Sequence, residues 1–334
     1  MRKGQSRIGV DTLRIVISSS PIPGTRTQCL GVADAVGRLS GRPVTWRPID
    51  GWRHLLGIVP FAKWVWAPDL ILSCGSRGER RAARLHQACG RQCVWAHIEV
   101  PLSEVRPDLV FVSAHDWSPE FERRPSYRRM LGVPHRVDAT EITASREGAR
   151  RRFAPDGGKV ATCLIGGPNP AYDFDVQTMD RIISAVRTLL GEGWRCLVST
   201  SRRTPAEFHD RLMLIESPNM LVWDNKGENP YLEFLAAADA FLVTEDSITM
   251  TCEAIATGKP VYSIPLAGTP GPRLEKFKRL QATLRDHLQV TRPFEGLLDA
   301  YAYTPFNDAE NVAREILPLL RSGLAPGLAF DRGS

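Results

Sequence analysis

From residue 160 onward the chain alternates short β-branched runs with amphipathic segments, and that rhythm permits little besides a parallel sheet flanked by crossover helices. The predicted order is strand 160–165, helix 176–190, strand 195–200, helix 204–213, strand 220–223, helix 229–237, strand 240–244, helix 247–257 and strand 261–264. A weaker version of the pattern runs through the first half, with strands expected at 13–18, 70–73, 92–96 and 109–112 and a helix at 24–39. Between the halves the sequence turns polar and basic over 146–159, where Pro155, Asp156, Gly157 and Gly158 adjoin. The reading is an α/β chain of two Rossmann-like doubly wound domains facing a cleft. Residues 1–152 form the first, and 153–334 form the second together with a terminal helix at 308–322. Ligand sites in such sheets lie outside the carboxyl ends of the strands.

Composition narrows the function classes. At 334 residues the chain can build two ordinary cores, and a net charge of +6 permits nucleic acid binding without demanding it. No basic block exceeds three residues, so nucleic acid is not an expected partner. The seven cysteines are odd in number, lack a C-x-x-C pair and lie mostly in apolar runs, which fits a reduced, cytoplasmic protein. The most apolar stretch is broken by Pro60, Lys63, Pro68 and Asp69, short of the roughly 20 apolar residues a bilayer span needs. Trp52, Trp64 and Trp66 nevertheless give residues 52–66 a composition suited to peripheral contact with the inner face of a membrane, although burial within the first domain is the simpler account.

Four segments at predicted strand ends carry the candidate chemistry. Strand 160–165 runs into Gly166-Gly167, which suits a close backbone approach but lacks the Lys-Ser/Thr of a P-loop, and no G-x-G-x-x-G occurs anywhere. Strand 240–244 ends at Thr244, after which Asp246 or Ser247 can cap a helix whose amino terminus favours an anion. Glu253 lies more than a turn further along that helix. The loops Ser199-Thr-Ser-Arg-Arg-Thr-Pro and Gly227-Glu-Asn-Pro-Tyr bring Ser201, Arg202, Arg203, Asn229 and Tyr231 to the same edge, a hydroxyl and guanidinium set fit for a diphosphate. Asp173 and Asp175 precede a helix and read as its cap rather than as a metal pair. No metal or tightly bound cofactor is expected.

Read together, Ile165-Gly-Gly-Pro-Asn, Ser199-Thr-Ser-Arg-Arg-Thr-Pro, Gly227-Glu-Asn-Pro-Tyr, Thr244-Glu-Asp-Ser-Ile-Thr-Met and Ala256-Thr-Gly-Lys-Pro-Val-Tyr resemble the ordered signatures of the mitochondrial-fission Elm-type family (elongated mitochondria). Leu131-Gly-Val-Pro-His-Arg-Val and Arg292-Pro-Phe extend the resemblance, and the family's Pro-Gly-His is here Pro23-Gly24-Thr25. That family is similar in turn to GT-B glycosyltransferases. The resemblance implies a nucleotide-diphosphate-sugar donor held by the second domain at Gly166, Gly167, Ser201, Arg202, Arg203, Asn229, Thr244, Asp246, Ser247 and Met250, with Glu253 toward the ribose. It further implies a saccharide or lipid-linked acceptor, an envelope glycolipid or polysaccharide, on the first domain.

Glycosyl transfer needs a base for the acceptor hydroxyl, and His115 with Asp116, just past the strand at 109–112, is the candidate pair, with His97 and Glu99 as rivals. Two alternatives stay open. One is a nucleotide-sugar epimerase on the same scaffold, which would need paired acid/base carboxylates. The other is a non-catalytic binding or scaffold protein.

Overall fold

The computed structural model describes residues 12–20, 23–49, 67–89, 93–224 and 226–322. Within them the chain forms two compact units, each built on a six-stranded, wholly parallel sheet. The first carries β1 (Leu13–Ser19), α1 (Pro23–Ser40), β2 (Val44–Pro48), β3 (Leu70–Cys74), α2 (Ser76–Ala88), β4 (Val94–Ile98), β5 (Leu109–Ser113) and β6 (Tyr127–Met130). Its strand order is β2-β1-β3-β4-β5-β6, so the chain reverses direction across the sheet between β1 and β3. Strands β1, β3, β4 and β5 are buried throughout or nearly so, as a sheet covered on both faces requires.

The second unit carries α3 (Ala139–Phe153), β7 (Val160–Ile165), α4 (Val176–Gly191), β8 (Arg195–Thr200), α5 (Ala206–Met213), β9 (Met220–Val222), α6 (Tyr231–Ala237), β10 (Ala240–Thr244), α7 (Ile248–Ala256), β11 (Val261–Ile264), α8 (Pro272–Ala282) and β12 (Arg292–Pro293). The order β12-β11-β10-β7-β8-β9 places its reversal between β7 and β10. One face packs Ile182, Val186 and Leu189 of α4 with Phe208 and Leu212 of α5. The other face packs Ile142 and Phe153 of α3 with Phe234 of α6 and Ile255 of α7.

Both ends of the expected domain division move. Residues Val137–Asn307 form the second unit, and α9 (Asp308–Ser322) belongs to the first. Of the polar, basic segment 146–159 expected at the domain boundary, residues 146–153 are the last turns of helix α3, with their arginines engaged. Arg146 donates to the carbonyls of Ala236 and Ala238 at 3.0 and 2.6 Å, capping the exit of α6, and joins Arg150 on the Asp239 carboxylate. Burial disfavours that carboxylate's charge, yet the Val160 amide and the two guanidiniums hold its pKa below the usual range. Helix α9 lays Val312, Ala313, Ile316 and Leu317 against Val32, Ala33 and Val36 of α1. Its first residue, Asp308, accepts the backbone amides of Leu131 and Gly132 at 3.2 and 2.6 Å.

The segment leading to α9 has no regular structure and is held by phenol groups. Tyr301 donates to the Val261 carbonyl and accepts the Val261 amide, and Tyr303 donates to Lys259. All seven cysteines are buried and unbridged. Among the described residues no helix is long and apolar enough to cross a membrane, and residues 52–66 lie outside the described set. The packing of α9 predicts that Ile316→Ala, a fully buried truncation, costs about 2–4 kcal/mol. Hydrogen exchange should show the loss in β1, α1 and β3 and leave β7 and β8 protected.

Candidate functional site

The loops leaving β7, β8 and β10 meet at the carboxyl edge of the second sheet, beside its reversal point, and one carboxylate joins them. Asp246 is buried and accepts the Gly167 amide at 2.9 Å, the Thr244 hydroxyl at 2.7 Å and the Arg203 guanidinium at 2.8 Å. Thr244 in turn accepts the Gly166 amide at 2.8 Å, while Arg203 donates to the Gly167 carbonyl at 2.6 Å. The two glycines are required by these approaches. A Cβ at Gly166 would fall 2.1 Å from the Asp246 carboxylate, and one at Gly167 would fall 2.3 Å from the Arg203 carbonyl.

This arrangement alters several expectations. Neither Asp246 nor Ser247 caps α7 with its side chain: Asp246 turns to the glycine loop, and Ser247 occupies the cap position without a side-chain bond. The first amides of α7 therefore have no side-chain acceptor, and they carry the partial positive charge of a helix start. The Gly167 amide and Arg203 are already engaged, so neither is a spare phosphate donor in this state. Arg202 is exposed and makes no hydrogen bond or ion pair among the described residues. Ser201 closes its own turn by accepting the Arg203 amide at 3.2 Å. Asn229 is exposed and accepts the Tyr231 amide at 3.0 Å, which starts α6.

Further along α7, Met250 is half-buried against the core, and Glu253 is buried with the Tyr231 hydroxyl donating to its carboxylate. Burial pushes the Glu253 carboxyl up to about 7, against a smaller opposing effect of that hydrogen bond. Sequence reasoning missed Glu245. Its carboxyl is also raised by burial, it accepts the Ser263 hydroxyl at 3.1 Å, and its carbonyl accepts Gln281 at 3.2 Å. The available signal was position, since Glu245 is the first residue past a central strand. Asp175 caps α4 by accepting the Thr178 amide at 2.8 Å, and Asp173 accepts the Thr269 hydroxyl. Among the described residues no three His, Cys, Asp or Glu side chains converge on a metal position.

In the first unit His115 and Asp116 sit on a single 3₁₀ turn after β5, with His115 Nε2 3.6 Å from the Asp116 carboxylate. His97 is not in a loop. Strand β4 lies two residues later than expected, which buries His97 completely, with Nδ1 2.8 Å from the Ser73 hydroxyl. Burial lowers its pKa to about 4, leaving it neutral at ordinary pH. Glu99 is the first residue past β4.

Two parallel sheets with helices on their faces define a protein of the GT-B fold class. Across 93% of the chain the structure is similar to the whole of the UDP-GlcNAc 2-epimerase from Methanocaldococcus jannaschii, at TM-score 0.54 and 13% identity. It is similar over the same share to the whole Neisseria meningitidis UDP-GlcNAc 2-epimerase bound to UDP-GlcNAc, at TM-score 0.51 and 13% identity. The family model for mitochondrial fission ELM1 matches residues 23–320, and the chain belongs to that family. Mitochondrial fission protein ELM1 of Arabidopsis thaliana is 25% identical over 288 residues, covering 78% of this chain and 66% of the plant protein. The chain thus spans just under two thirds of that relative's length.

Two outcomes follow from the charges at this edge. Asp246→Ala strands the Gly167 amide and the Thr244 hydroxyl and releases Arg203, at an expected cost of about 3 kcal/mol in denaturant unfolding. For Glu253 the folded pKa lies above the unfolded one. Its contribution to stability is therefore complete below about pH 4.5 and is lost as pH rises through about 7. Glu253→Gln should match the parent near pH 4 and exceed it at pH 8 by up to about 3 kcal/mol in urea titrations at the two values.

Proposed function

We propose that the protein is a nucleotide-diphosphate-sugar enzyme whose second domain binds the donor and which transfers the glycosyl group to a saccharide or lipid-linked acceptor without a metal. The observation that carries this reading is the pairing of an uncapped α7 start with a buried, easily protonated Glu253 on the same helix. The first offers amides and dipole to a diphosphate, and Arg202 adds an exposed cation. The second offers an acceptor for ribose hydroxyls. Keeping such a carboxyl buried costs stability, a cost that a purely structural helix has no need to bear.

In this reading Ser247 and the α7 amides take the leaving diphosphate, Arg202 closes over it, and Asp246 holds the three loops in register. Thr244, Gly166, Gly167, Ser201 and Arg203 build the wall, and Asn229 and Met250 border the nucleoside. Epimerisation of the bound sugar is a second reading, favoured by Glu245 and Glu253. Both are carboxyls raised by burial, one just past β10 and one on α7, and so are suited to exchange protons. Incubation of a bound sugar nucleotide in D₂O separates the two, because epimerisation incorporates deuterium into the sugar and transfer does not.

The direct test is a thermal-shift screen against UDP, GDP, CDP and ADP and their sugars. One nucleotide should raise the melting temperature, and Ser247→Ala or Glu253→Ala should reduce its affinity about tenfold. A flat response to all of them leaves the scaffold reading in place. Peripheral membrane contact through residues 52–66 is proposed from their tryptophans alone. Sedimentation with anionic liposomes at low salt should bring the protein down, and protein left in the supernatant ends that idea.

A further inference from the structure

Of the six tyrosines in the chain, five engage their hydroxyls within the fold. Tyr172 does not. It follows the glycine loop of β7 and is only 3% exposed, yet its hydroxyl makes no hydrogen bond among the described residues. A buried phenol ordinarily finds a partner, because its polar end is costly to leave unpaired.

The fold nevertheless fixes this side chain from three directions. Asn169 accepts the Ala171 and Tyr172 amides with its side-chain oxygen at 2.7 and 3.1 Å, and its side-chain amide donates to the Asp246 carbonyl at 3.4 Å. On the other side the Thr269 amide donates to Ala171 and the Asp173 amide to Ala267, both at 2.9 Å. The Tyr172 ring stands edge-on against Phe277 of α8, with centroids 5.2 Å apart. Four residues further along α8, Gln281 donates to the Glu245 carbonyl at 3.2 Å, so Tyr172 and Glu245 lie along one face of that helix.

Burial, and after it the charges of Glu245 and Asp246, raise the pKa of the phenol, which therefore stays protonated and a donor at ordinary pH. Asp246 already accepts three donors. Glu245 accepts one, the Ser263 hydroxyl on Oε1, and its other oxygen has no partner among the described residues. Tyr172 belongs to the core on the α4 and α5 face of the sheet, whereas Tyr231, the partner of Glu253, packs on the opposite face. The start of α7 is thus flanked on each side by a carboxylate and a phenol, Glu253 with Tyr231 and Glu245 with Tyr172. A nucleotide sugar has the same layout, a diphosphate with a hydroxyl-bearing ring at either end. A sugar hydroxyl can accept from the phenol and donate to the carboxylate at once. A phosphate cannot donate, and Glu245 would repel it.

We propose that Tyr172 and Glu245 together hold one hydroxyl of the sugar that the nucleotide carries, the phenol donating and the Glu245 carboxylate accepting. The proposal rests on the sugar-nucleotide reading above and extends it from the nucleotide to its sugar. Tyr172 is then the residue that tells a sugar nucleotide from the bare diphosphate, and the missing partner of its hydroxyl is the ligand.

Isothermal titration of the full chain tests this with UDP, GDP, CDP and ADP and with UDP-glucose, GDP-mannose, CDP-glucose and ADP-glucose. Tyr172→Phe and Glu245→Gln should each weaken the sugar nucleotide that wild type takes by about tenfold and leave the matching free diphosphate within about twofold. The double variant should be about as weak as the worse single one, because both groups serve one hydroxyl. Tyr172→Phe keeps the ring against Phe277 and should melt within about 1 °C of wild type, since the hydroxyl it removes has no partner in the fold. Equal losses for sugar nucleotide and free diphosphate, unchanged affinity for both, additive losses in the double variant, or a Tyr172→Phe melting temperature lowered by several degrees overturns the proposal. So does a wild type that takes a free diphosphate and no sugar nucleotide. Wild type that binds none of these compounds is a different failure: the donor reading falls, and this proposal with it.

Discussion

One carboxylate sets the geometry at the carboxyl edge of the second domain's sheet. Three strand ends of a parallel sheet arrive side by side, each carrying backbone groups with no partner in the ladder. Asp246 accepts the Gly167 amide, holds the Thr244 hydroxyl that accepts the Gly166 amide, and anchors the guanidinium that satisfies further carbonyls. The arrangement works only if the loop from β7 comes within contact of both Asp246 and the Arg203 backbone, and the absence of a Cβ at Gly166 and Gly167 allows it. Much of what looks like a phosphate-binding set in the sequence is thus the frame of the site. On the proposed donor reading, what remains for a ligand is narrower: the α7 start, Arg202, and the Glu253–Tyr231 pair.

The frame also explains why buried ionisable groups sit where they do. Asp246 and Asp239 are each surrounded by donors, so their charge is compensated inside the fold. Glu253 has a single phenol partner, and burial raises its pKa to near neutrality. That contrast separates carboxylates that hold the chain together from one that has spare hydrogen-bonding capacity. His97 belongs with the first group despite its residue type, because its buried ring bonds the Ser73 hydroxyl, which also accepts the Trp95 indole N–H.

The second domain was largely legible in the sequence because its central strands are short, buried nearly throughout and rich in apolar residues, and its helices are amphipathic at a regular spacing. Strands β7, β8, β10 and β11 fall within the expected ranges. The first domain was less legible. Strand β2 is an edge strand with four exposed residues among its five, and β6, Tyr-Arg-Arg-Met, carries two arginines, so neither shows a buried period. Helix α3 was hidden for another reason. Its arginines look like a solvated linker, and only the tertiary fold supplies Asp239 and the carbonyls at the end of α6 that make them structural. In the site, residue types and loops were readable, but bond partners were not. Nothing local to Asp246 distinguishes a helix cap from a clasp on a loop almost eighty residues earlier.

The fate of the arginines also changes the meaning of the net charge of +6. An excess of cations suggests a surface available to anions, whether diphosphates or lipid headgroups. Arg146, Arg150, Arg195 and Arg203 instead spend their donors on backbone carbonyls and buried or half-buried carboxylates within the second domain. Their charge holds α3, the strand ends and the glycine loop in place, and it contributes little field at the ligand edge. On the donor reading, attraction for an anion there comes from groups that the fold leaves unspent, among them the α7 start and Arg202. On the proposed donor reading, a site built this way would read a diphosphate mainly by backbone geometry. The sequence therefore displays glycines, a Ser and a helix start in that region rather than a cluster of lysines.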